Sequence, residues 1–477
     1  MQNRPDTKAF GNRGPAGWSE SGMSLIWQFH SAVSGVMWPA VSPPGAASVL
    51  ALQFQFERTQ WLPAERLREL QFRQLAVVLR HAYATVPYYH DQWRGVYDPT
   101  PELTPARFCT LPLLERRGLQ DHFETLKSSD IPAAHGATGE ARTSGSTGAP
   151  VRVIKTQLSM LFWNAFTLRD HIWHRRNLRG KLAAIRHGVT AGEFAGWGQA
   201  TNGLVATGPS AVHGIEDDVE AQLSWLQGEQ PEYLITHPSM AAELAKSSLA
   251  REVHLPRLRE VRTFGELLTP EARELCREAW SVPVTDTYSS NEVGYIALQC
   301  PQHEHYHVQS EGVLVEILDD AGQACEPGQI GRVVVTTSHN FAMPLVRYEL
   351  GDYAEVGEPC ACGRGLPVLR RIIGRVRNML VTASGERYWP SFGTRKFIEI
   401  APVLQHQFVQ KSFDTIEAKL VTANRLTAEQ EEDLRRHILS RLPPGFELKF
   451  VYCDGIPRSA GGKYEDFMSE VAASPSS

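Results

Sequence analysis

Thr143-Ser144-Gly145-Ser146-Thr147-Gly148-Ala149-Pro150 is the stretch around which the chain is organised. Four hydroxyl residues and two glycines, closed by a proline, make a poor helix and a poor strand. A loop of this kind can hold successive backbone N–H groups in a concave array, with the hydroxyls as further donors. Both features suit an anionic polyphosphate. The stretch lacks the Gly-Lys-Ser/Thr of a Walker A loop and the G-x-G-x-x-G of a dinucleotide fold. A lone tract of this composition is as readily a plain Ser/Gly turn, so its meaning depends on the residues downstream.

The surrounding chain has 477 residues, room for two to four domains at roughly 100–200 residues each. With 42% hydrophobic and 21% charged residues it has the composition of a soluble globular protein. The net charge is −5, and no basic block or stripe argues for nucleic acid. Seven cysteines, an odd number without a secretory leader ahead of them, point to a reducing compartment and a cytoplasmic protein. The most apolar early region, 34–52, contains Pro39, Pro43 and Pro44 and is a poor membrane span. Residues 1–22 read as a disordered extension, rich in Gly, Pro, Asn and charge.

Apolar residues spaced by three and four predict a helix over 63–84, with Pro63 in its first turn. After the opening loop, 151–154 reads as a strand and 158–176 as a long aromatic-rich helix. Strands at 181–187, 233–236 and 260–263 then alternate with helices at 240–249 and 269–280, the last behind a threonine cap at Thr269. Such alternation implies a layered α/β architecture with partly parallel sheets. From residue 313 the texture becomes all-β, and beyond Gly374 a small α+β unit begins. The expected fold class is therefore α/β: a large N-terminal domain over 23–374, built of layered α/β subdomains plus a β subdomain, and a small α+β C-terminal domain over 375–477.

Four further stretches follow the loop in fixed order. Asp286-Thr287-Tyr288-Ser289-Ser290-Asn291-Glu292-Val293-Gly294 comes after a short strand. At a strand's C-terminal end an aromatic ring can stack on a base while a carboxylate reaches a Mg²⁺ on phosphates. Arg347-Tyr348-Glu349-Leu350-Gly351-Asp352 offers a carboxylate after a glycine, suited to a ribose diol. Gly374-Arg375-Val376-Arg377-Asn378 lies at the domain junction, and Pro457-Arg458-Ser459-Ala460-Gly461-Gly462-Lys463 presents one lysine near the C-terminus. Singly, each is as well read as a turn, a surface Asp, a solvated Arg or a tail Lys.

In this order the set resembles the adenylate-forming superfamily of acyl-CoA synthetases, adenylation domains and luciferases. Gln60-Trp61 and Leu79-Arg80-His81-Ala82-Tyr83-Ala84-Thr85-Val86-Pro87-Tyr88-Tyr89 resemble its phenylacetate–CoA ligase and CapK-like branch. The resemblance implies that Thr143, Ser144, Gly145, Ser146, Thr147 and Gly148 fold over the phosphates of ATP, and that Gly265 and Glu266 lie beside the adenine. Tyr288, flanked by Ser289 and Asn291, matches the residue stacked on adenine, and Glu292 the Mg²⁺ ligand. Asp352 matches the ribose acceptor, Arg375 a ribose/phosphate contact, and Lys463 the lysine bridging the attacking carboxylate and the α-phosphate. The C-terminal domain becomes a lid.

The chain departs from the family pattern at three places. Tyr288-Ser289-Ser290-Asn291-Glu292 stands where Tyr-Gly-x-Thr-Glu is usual. Asn378 occupies the hinge position usually held by Asp or Lys, and Val381-Thr382-Ala383-Ser384-Gly385-Glu386 replaces a glycine-rich pantetheine-tunnel segment.

Cys300-Pro301-Gln302-His303-Glu304-His305-Tyr306-His307 and Cys360-Ala361-Cys362-Gly363 supply three thiols and a choice of imidazoles for a tetrahedral structural Zn²⁺. His303 or His305 is the expected fourth ligand. His307 runs straight into an extended stretch and is expected to be the least suited. The resemblance adds that some members of the branch carry a structural zinc near the same place.

The expected activity is ATP- and Mg²⁺-dependent activation of an aryl or other apolar carboxylic acid as an acyl-adenylate. Transfer follows to a thiol such as CoA or a carrier protein, or to an amine or hydroxyl. The competing readings are AMP transfer and a weakened ATP- or acyl-binding scaffold.

Overall fold

The computed structural model describes residues 28–143, 150–459 and 462–471. Ser144, Gly145, Ser146, Thr147 and Gly148 lie outside the described residues, as does the 1–22 extension. The base of their loop is a hairpin of β1 (Thr138–Arg142) and β2 (Arg152–Thr156), paired antiparallel with Arg142 opposite Arg152. The loop is thus held between two strand ends.

The next twelve strands in the chain are β3 (Leu182–Arg186), β4 (Gly192–Phe194), β5 (Ser210–Gly214), β6 (Tyr233–Thr236), β7 (Glu260–Phe264) and β8 (Val284–Ser290), then β9 (Gly294–Gln299), β10 (Tyr306–Val308), β11 (Val313–Leu318), β12 (Ile330–Thr337), β13 (Tyr348–Val356) and β14 (Val368–Arg375). They form one sheet in the order β11-β12-β13-β14-β10-β9-β8-β7-β6-β3-β5-β4. From β8 to β5 the neighbours are parallel. Leu182, Ala183, Ala184 and Ile185 are all buried, as a strand covered on both faces requires. The helices Val219–Glu229, Pro238–Ala250 and Pro270–Trp280 make the crossovers. Thr269 caps the last of these by accepting from the Ala272 N–H, with Pro270 in the first turn.

β8 and β9 pair antiparallel, and a bulge falls between Tyr288 and Ser289. The β subdomain expected from residue 313 therefore starts earlier, at β9, and is hydrogen-bonded directly to the parallel half. The parallel strands β3, β6, β7 and β8 all end on the same side, which opens a crevice beyond their C-terminal ends. Tyr89 lies under this frame, buried, with its hydroxyl donating to Pro344 O at 2.9 Å and accepting from Val346 N at 3.1 Å.

A 3-10 turn, Val376–Asn378, leads into β15 (Leu380–Val381), β16 (Arg387–Tyr388) and a four-stranded sheet. That sheet contains β17 (Val403–Gln410), β18 (Thr415–Thr422), β19 (Glu447–Tyr452) and β20 (Phe467–Ser469), in the order β19-β18-β17-β20. The helix Ala428–Leu439 packs on it behind a capping box of Thr427 and Gln430. Phe408, Ile416, Leu420, Leu434 and Ile438 give this unit a core of its own. No described helix is long and apolar enough to cross a membrane.

One buried ionic network locks the helix Gln157–Trp173 onto the parallel strands. Arg176 donates to both Glu260 oxygens at 2.8 and 2.7 Å and to Asp170 Oδ2 at 2.6 Å. Arg262 donates to the same Asp170 oxygen at 2.8 Å, and the Thr285 hydroxyl donates to Glu260. Burial pushes the Asp170 carboxyl up, but Arg176 and Arg262 outweigh it and hold the group well below the carboxylate range. Replacing Arg176 by Met would leave buried Glu260 without its cation and Asp170 with Arg262 alone. The expected loss of stability is about 3–5 kcal/mol, read as a lower midpoint in urea unfolding.

Candidate active site

The crevice is a cleft of about 1610 Å³, walled by the ends of the parallel strands, the helix Gln157–Trp173 and the C-terminal unit. Tyr288, Asp352 and Arg375 meet on one wall. Tyr288 Oη donates to Asp352 Oδ2 at 2.9 Å, and Arg375 Nε donates to Asp352 Oδ1 at 3.3 Å. Sheet register makes this possible, because Asp352 and Arg375 are cross-strand partners in β13 and β14. Gly351, at φ +85°, turns the chain just ahead of the carboxylate. Burial, followed by the Asp352 charge, pushes the Tyr288 phenol well above its ordinary value.

The turn between β8 and β9 carries Asn291 and Glu292. Asn291 Nδ2 donates to Arg142 O at 3.0 Å, tying the turn to the base of the hydroxyl-rich loop. Thr143 closes that base, its N–H donating to Val151 O and its hydroxyl accepting from Val151 N, both at 2.9 Å. Glu292 is buried, and Arg116 Nη1 stands 3.6 Å from its Oε1. Lys155 is close enough to feel Glu292. Burial pushes this lysine down to about 8, against the pull of the carboxylate. Ser289 sits in the bulge, opposite Tyr295.

Gly265 takes φ +79°, and a Cβ there would come within 3.3 Å of the His237 ring and 3.7 Å of Lys463 Cε. The lysine therefore passes close over this glycine. Burial lowers the Lys463 ammonium, and Arg375 adds to that; Asp352, Glu266 and Glu292 pull the other way. Those four charges place Lys463 beside the Tyr288–Asp352–Arg375 group. Glu266 faces the C-terminal segment. Its Oε1 accepts from the Tyr464 N–H at 2.6 Å, and its Oε2 accepts from the Ser239 N–H at 3.0 Å in the first turn of the helix Pro238–Ala250. Arg458 adds a bond to Ser239 Oγ at 2.7 Å and reaches Glu243 at 3.3 Å.

A second cluster joins Cys300, His307, Cys360 and Cys362, whose ligand atoms all lie within 4.8 Å of one another. Cys300 Sγ and Cys360 Sγ are 3.9 Å apart, and Cys362 Sγ is 3.4 Å from His307 Nε2. This corrects the expected ligand set. His303 is not in the group, and His305, though its Nε2 lies 3.0 Å from Cys360 Sγ, falls outside the four. The extended stretch that counted against His307 is what aims it. Successive residues of β10 point to opposite faces, so Tyr306 reaches Asp286 at 2.8 Å while His307 faces the thiols. Gln60 braces the cysteine-bearing turn, its carbonyl accepting from Gly365 N at 2.9 Å and its Oε1 from Arg364 Nε at 3.0 Å.

Residues 142–343 match the family described as AMP-binding enzyme. A phenylacetate–coenzyme A ligase of Thermus thermophilus is 27% identical over 365 residues, covering 72% of this chain and 78% of the relative. Protein CapK of Staphylococcus aureus is 25% identical over 269 residues, 53% of this chain and 56% of its own. A 2-hydroxyisobutyryl-CoA ligase in its postadenylation state shares the fold, with a TM-score of 0.69 at 17% identity, over 87% of this chain and 92% of that one. These matches place an AMP-binding region at residues 142–343 and liken the chain to the phenylacetate–CoA ligase-like branch of the adenylate-forming enzymes.

The cleft also holds charged residues that sequence reasoning missed. Arg116 opens a short helix far upstream, and nothing near it in sequence marks it. Lys155 lies in a strand too short to show a pattern. Arg186 carried a usable signal, a cation ending the otherwise apolar strand Leu182-Ala183-Ala184-Ile185.

The bonds of Glu266 set a test of how the Lys463 segment is held. Glu266→Gln removes one charged acceptor from Tyr464 or Ser239, so tryptic cleavage after Arg458 and Lys463 should quicken about tenfold. Unchanged cleavage would mean that the segment is anchored elsewhere.

Proposed function

We propose that this cleft activates a carboxylic acid with ATP, releases pyrophosphate, and passes the acyl group from the adenylate to the thiol of CoA. The convergence of Tyr288, Asp352, Arg375 and Lys463 on one wall of the cleft carries this reading. Tyr288 would stack on the adenine, and Asp352, now shared by Tyr288 and Arg375, would exchange one of those bonds for the ribose hydroxyls. Thr143 and the loop of Ser144, Gly145, Ser146, Thr147 and Gly148 would cover the phosphates, with Asn291 fixing the base of that loop. Glu292 would hold Mg²⁺, which neutralises the departing pyrophosphate. Arg116 would then release Glu292 and turn to the phosphates.

Lys463 has the central electrostatic task. A carboxylate attacking the α-phosphate brings two anions together, and a cation between them lowers the barrier. The attacking oxygen forms the new P–O bond as the bond to pyrophosphate breaks, giving acyl-AMP. Thiolate attack on the acyl carbon then expels AMP. The names of the relatives favour CoA over a carrier protein or an amine as the acceptor.

The domain boundary we propose lies after Gly374, with 23–374 as the body and 375–477 as a lid turning about Asn378. Asn378 Oδ1 accepts from Arg375 N at 3.3 Å, and its Nδ2 donates to Phe467 O at 2.6 Å, so one side chain ties the start of the lid to its strand β20. An aryl or other apolar acid suits the cleft wall, where Trp163 and Tyr295 have ring centroids 4.4 Å apart. Acid-dependent pyrophosphate release over a panel of aryl and fatty acids tests the reading. Lys463→Ala should lower it by roughly 100-fold or more. No release with any acid, despite ATP binding, would turn the reading to a scaffold or to AMP transfer.

The cysteine cluster we assign to a structural Zn²⁺. The thiol separation of 3.9 Å is close to the ~3.8 Å edge of a tetrahedron with zinc–sulfur bonds of about 2.3 Å. His307 presents Nε2 to the thiols, 3.4 Å from Cys362 Sγ, while a backbone hydrogen bond at Leu366 holds the ring. The purified protein should carry one zinc per chain, and chelation should lower its melting temperature. His307→Ala should lose the metal and His303→Ala keep it. The opposite pattern would return the fourth ligand to the histidines upstream.

A further inference from the structure

Arg186 ends β3 at the cleft and is accessible from it. Its guanidinium lies 5.3 Å from the centroid of the Phe264 ring. Among the described residues no carboxylate comes within ion-pair distance of it. The charge that bears most on it is that of Arg262, another cation, whose Nη2 is bonded to Asp170. Counted together, Arg176, Arg262 and Arg186 face only Asp170 and Glu260. His171 and His174 add no charge, because burial pushes both imidazoles down, and the arginines add to it. The cluster thus has one positive charge in excess, at the end that opens into the cleft. Neighbouring cations with no carboxylate between them repel, and an anion delivered by the substrate would offset that cost.

The position of this charge relative to Lys463 gives it a meaning. His237 stands between them. Burial, joined by the charges of Lys463, Arg458 and Arg186, lowers its imidazole to about 4, against the hydrogen bond to Phe264. Its Nδ1 carries the proton, donating to Phe264 O at 3.0 Å. Gly462, next to Lys463, approaches the side chain of His187, next to Arg186. Lys463 and Arg186 therefore flank one neutral imidazole within one cleft, and Phe264 and Tyr295 border the space near Arg186.

We propose that the acid this enzyme takes carries a second carboxylate, held by Arg186 with Arg262 behind it, while the first reacts at Lys463. The inference rests on the adenylation reading above and narrows its substrate class from an apolar acid to a dicarboxylate with an apolar body. Only one carboxylate is activated. The other stays ionised as the counterion of Arg186.

The experiment compares pyrophosphate release for matched pairs, phenylacetate against 3- and 4-carboxyphenylacetate, and hexanoate against adipate. In each productive pair the dianionic acid should have the higher kcat/KM, by about tenfold or more. Arg186→Gln should collapse that ratio by roughly 30-fold, and Arg186→Lys should restore part of it. Thermal melting of the variants separates loss of recognition from loss of fold. A wild-type enzyme that prefers the monoanionic acids, with a ratio Arg186→Gln leaves unchanged, overturns the second carboxylate and leaves adenylation standing. An equal rise in KM for both members of a pair also overturns it, because Arg186 would then hold the reacting carboxylate. Release with no acid of either kind sinks the adenylation reading itself.

Discussion

The antiparallel pairing of β8 with β9 is the contact on which the rest of the molecule depends. On one side of it the strands run parallel and end together, opening a crevice; on the other they run antiparallel and carry Asp352 and Arg375 on neighbouring strands. The seam is the one place where both halves can contribute to a single wall. Tyr288 is on its last parallel strand, and its hydroxyl crosses to Asp352. The bulge after Tyr288 matters for the same reason. Without the extra residue the register would turn the following side chains to the opposite face.

Charge, more than apolar area, shapes the cleft. Lys463, Arg375, Arg186 and Arg262 all face it, as do Asp352 and Glu292. Each is partly stripped of water, so each is either matched by a neighbour or poised for an ion from outside. Asp352 is matched twice, by Tyr288 and by Arg375, and Glu292 is held by Arg116. Lys463 is balanced only through longer-range pulls from Asp352, Glu266 and Glu292. Arg186 is matched by none. A cleft in which Lys463 and Arg186 have no ion-pair partner among the described residues is suited to substrates that arrive as anions.

Much of this was legible in the sequence wherever the signal was local. The strand at 233–236 has the bounds its apolar run predicted, and the caps at Thr269 and Thr427 do what threonines before a helix do. The order of the motifs brought Tyr288, Asp352, Arg375 and Lys463 into one reading, although they are spread over 175 residues from Tyr288 to Lys463. Less legible was what only three-dimensional packing decides. His307 was discounted for running into a strand, yet pleat alternation aims it at the thiols. Glu266 was expected beside a base, and its carboxylate binds two backbone N–H groups from separate parts of the chain. Arg116 lies 176 positions before its partner Glu292, and no periodicity connects such a pair.

Glu266 also bears on how two steps can share one site. The proposed lid presents Lys463 only while its loop is pinned, and the polar pins across the junction are the Tyr464 N–H on Glu266, Arg458 on Ser239 and Glu243, and Ser391 on Glu271, beside a small apolar contact of Met379 and Trp389 with Tyr353 and Ile373. The polar pins are partly accessible, and charge-assisted bonds of this kind contribute about 1.5–3 kcal/mol each. A lid joined by an apolar core would open only at the cost of exposing that core to water. A lid held by a handful of polar bonds can exchange them for water, because amides, guanidinium groups and carboxylates are all well solvated. The small unit keeps its own core, from Phe408 to Ile438, so its fold does not depend on being docked. The same polar bonds that set Lys463 for adenylation therefore make it cheap to withdraw once the adenylate has formed.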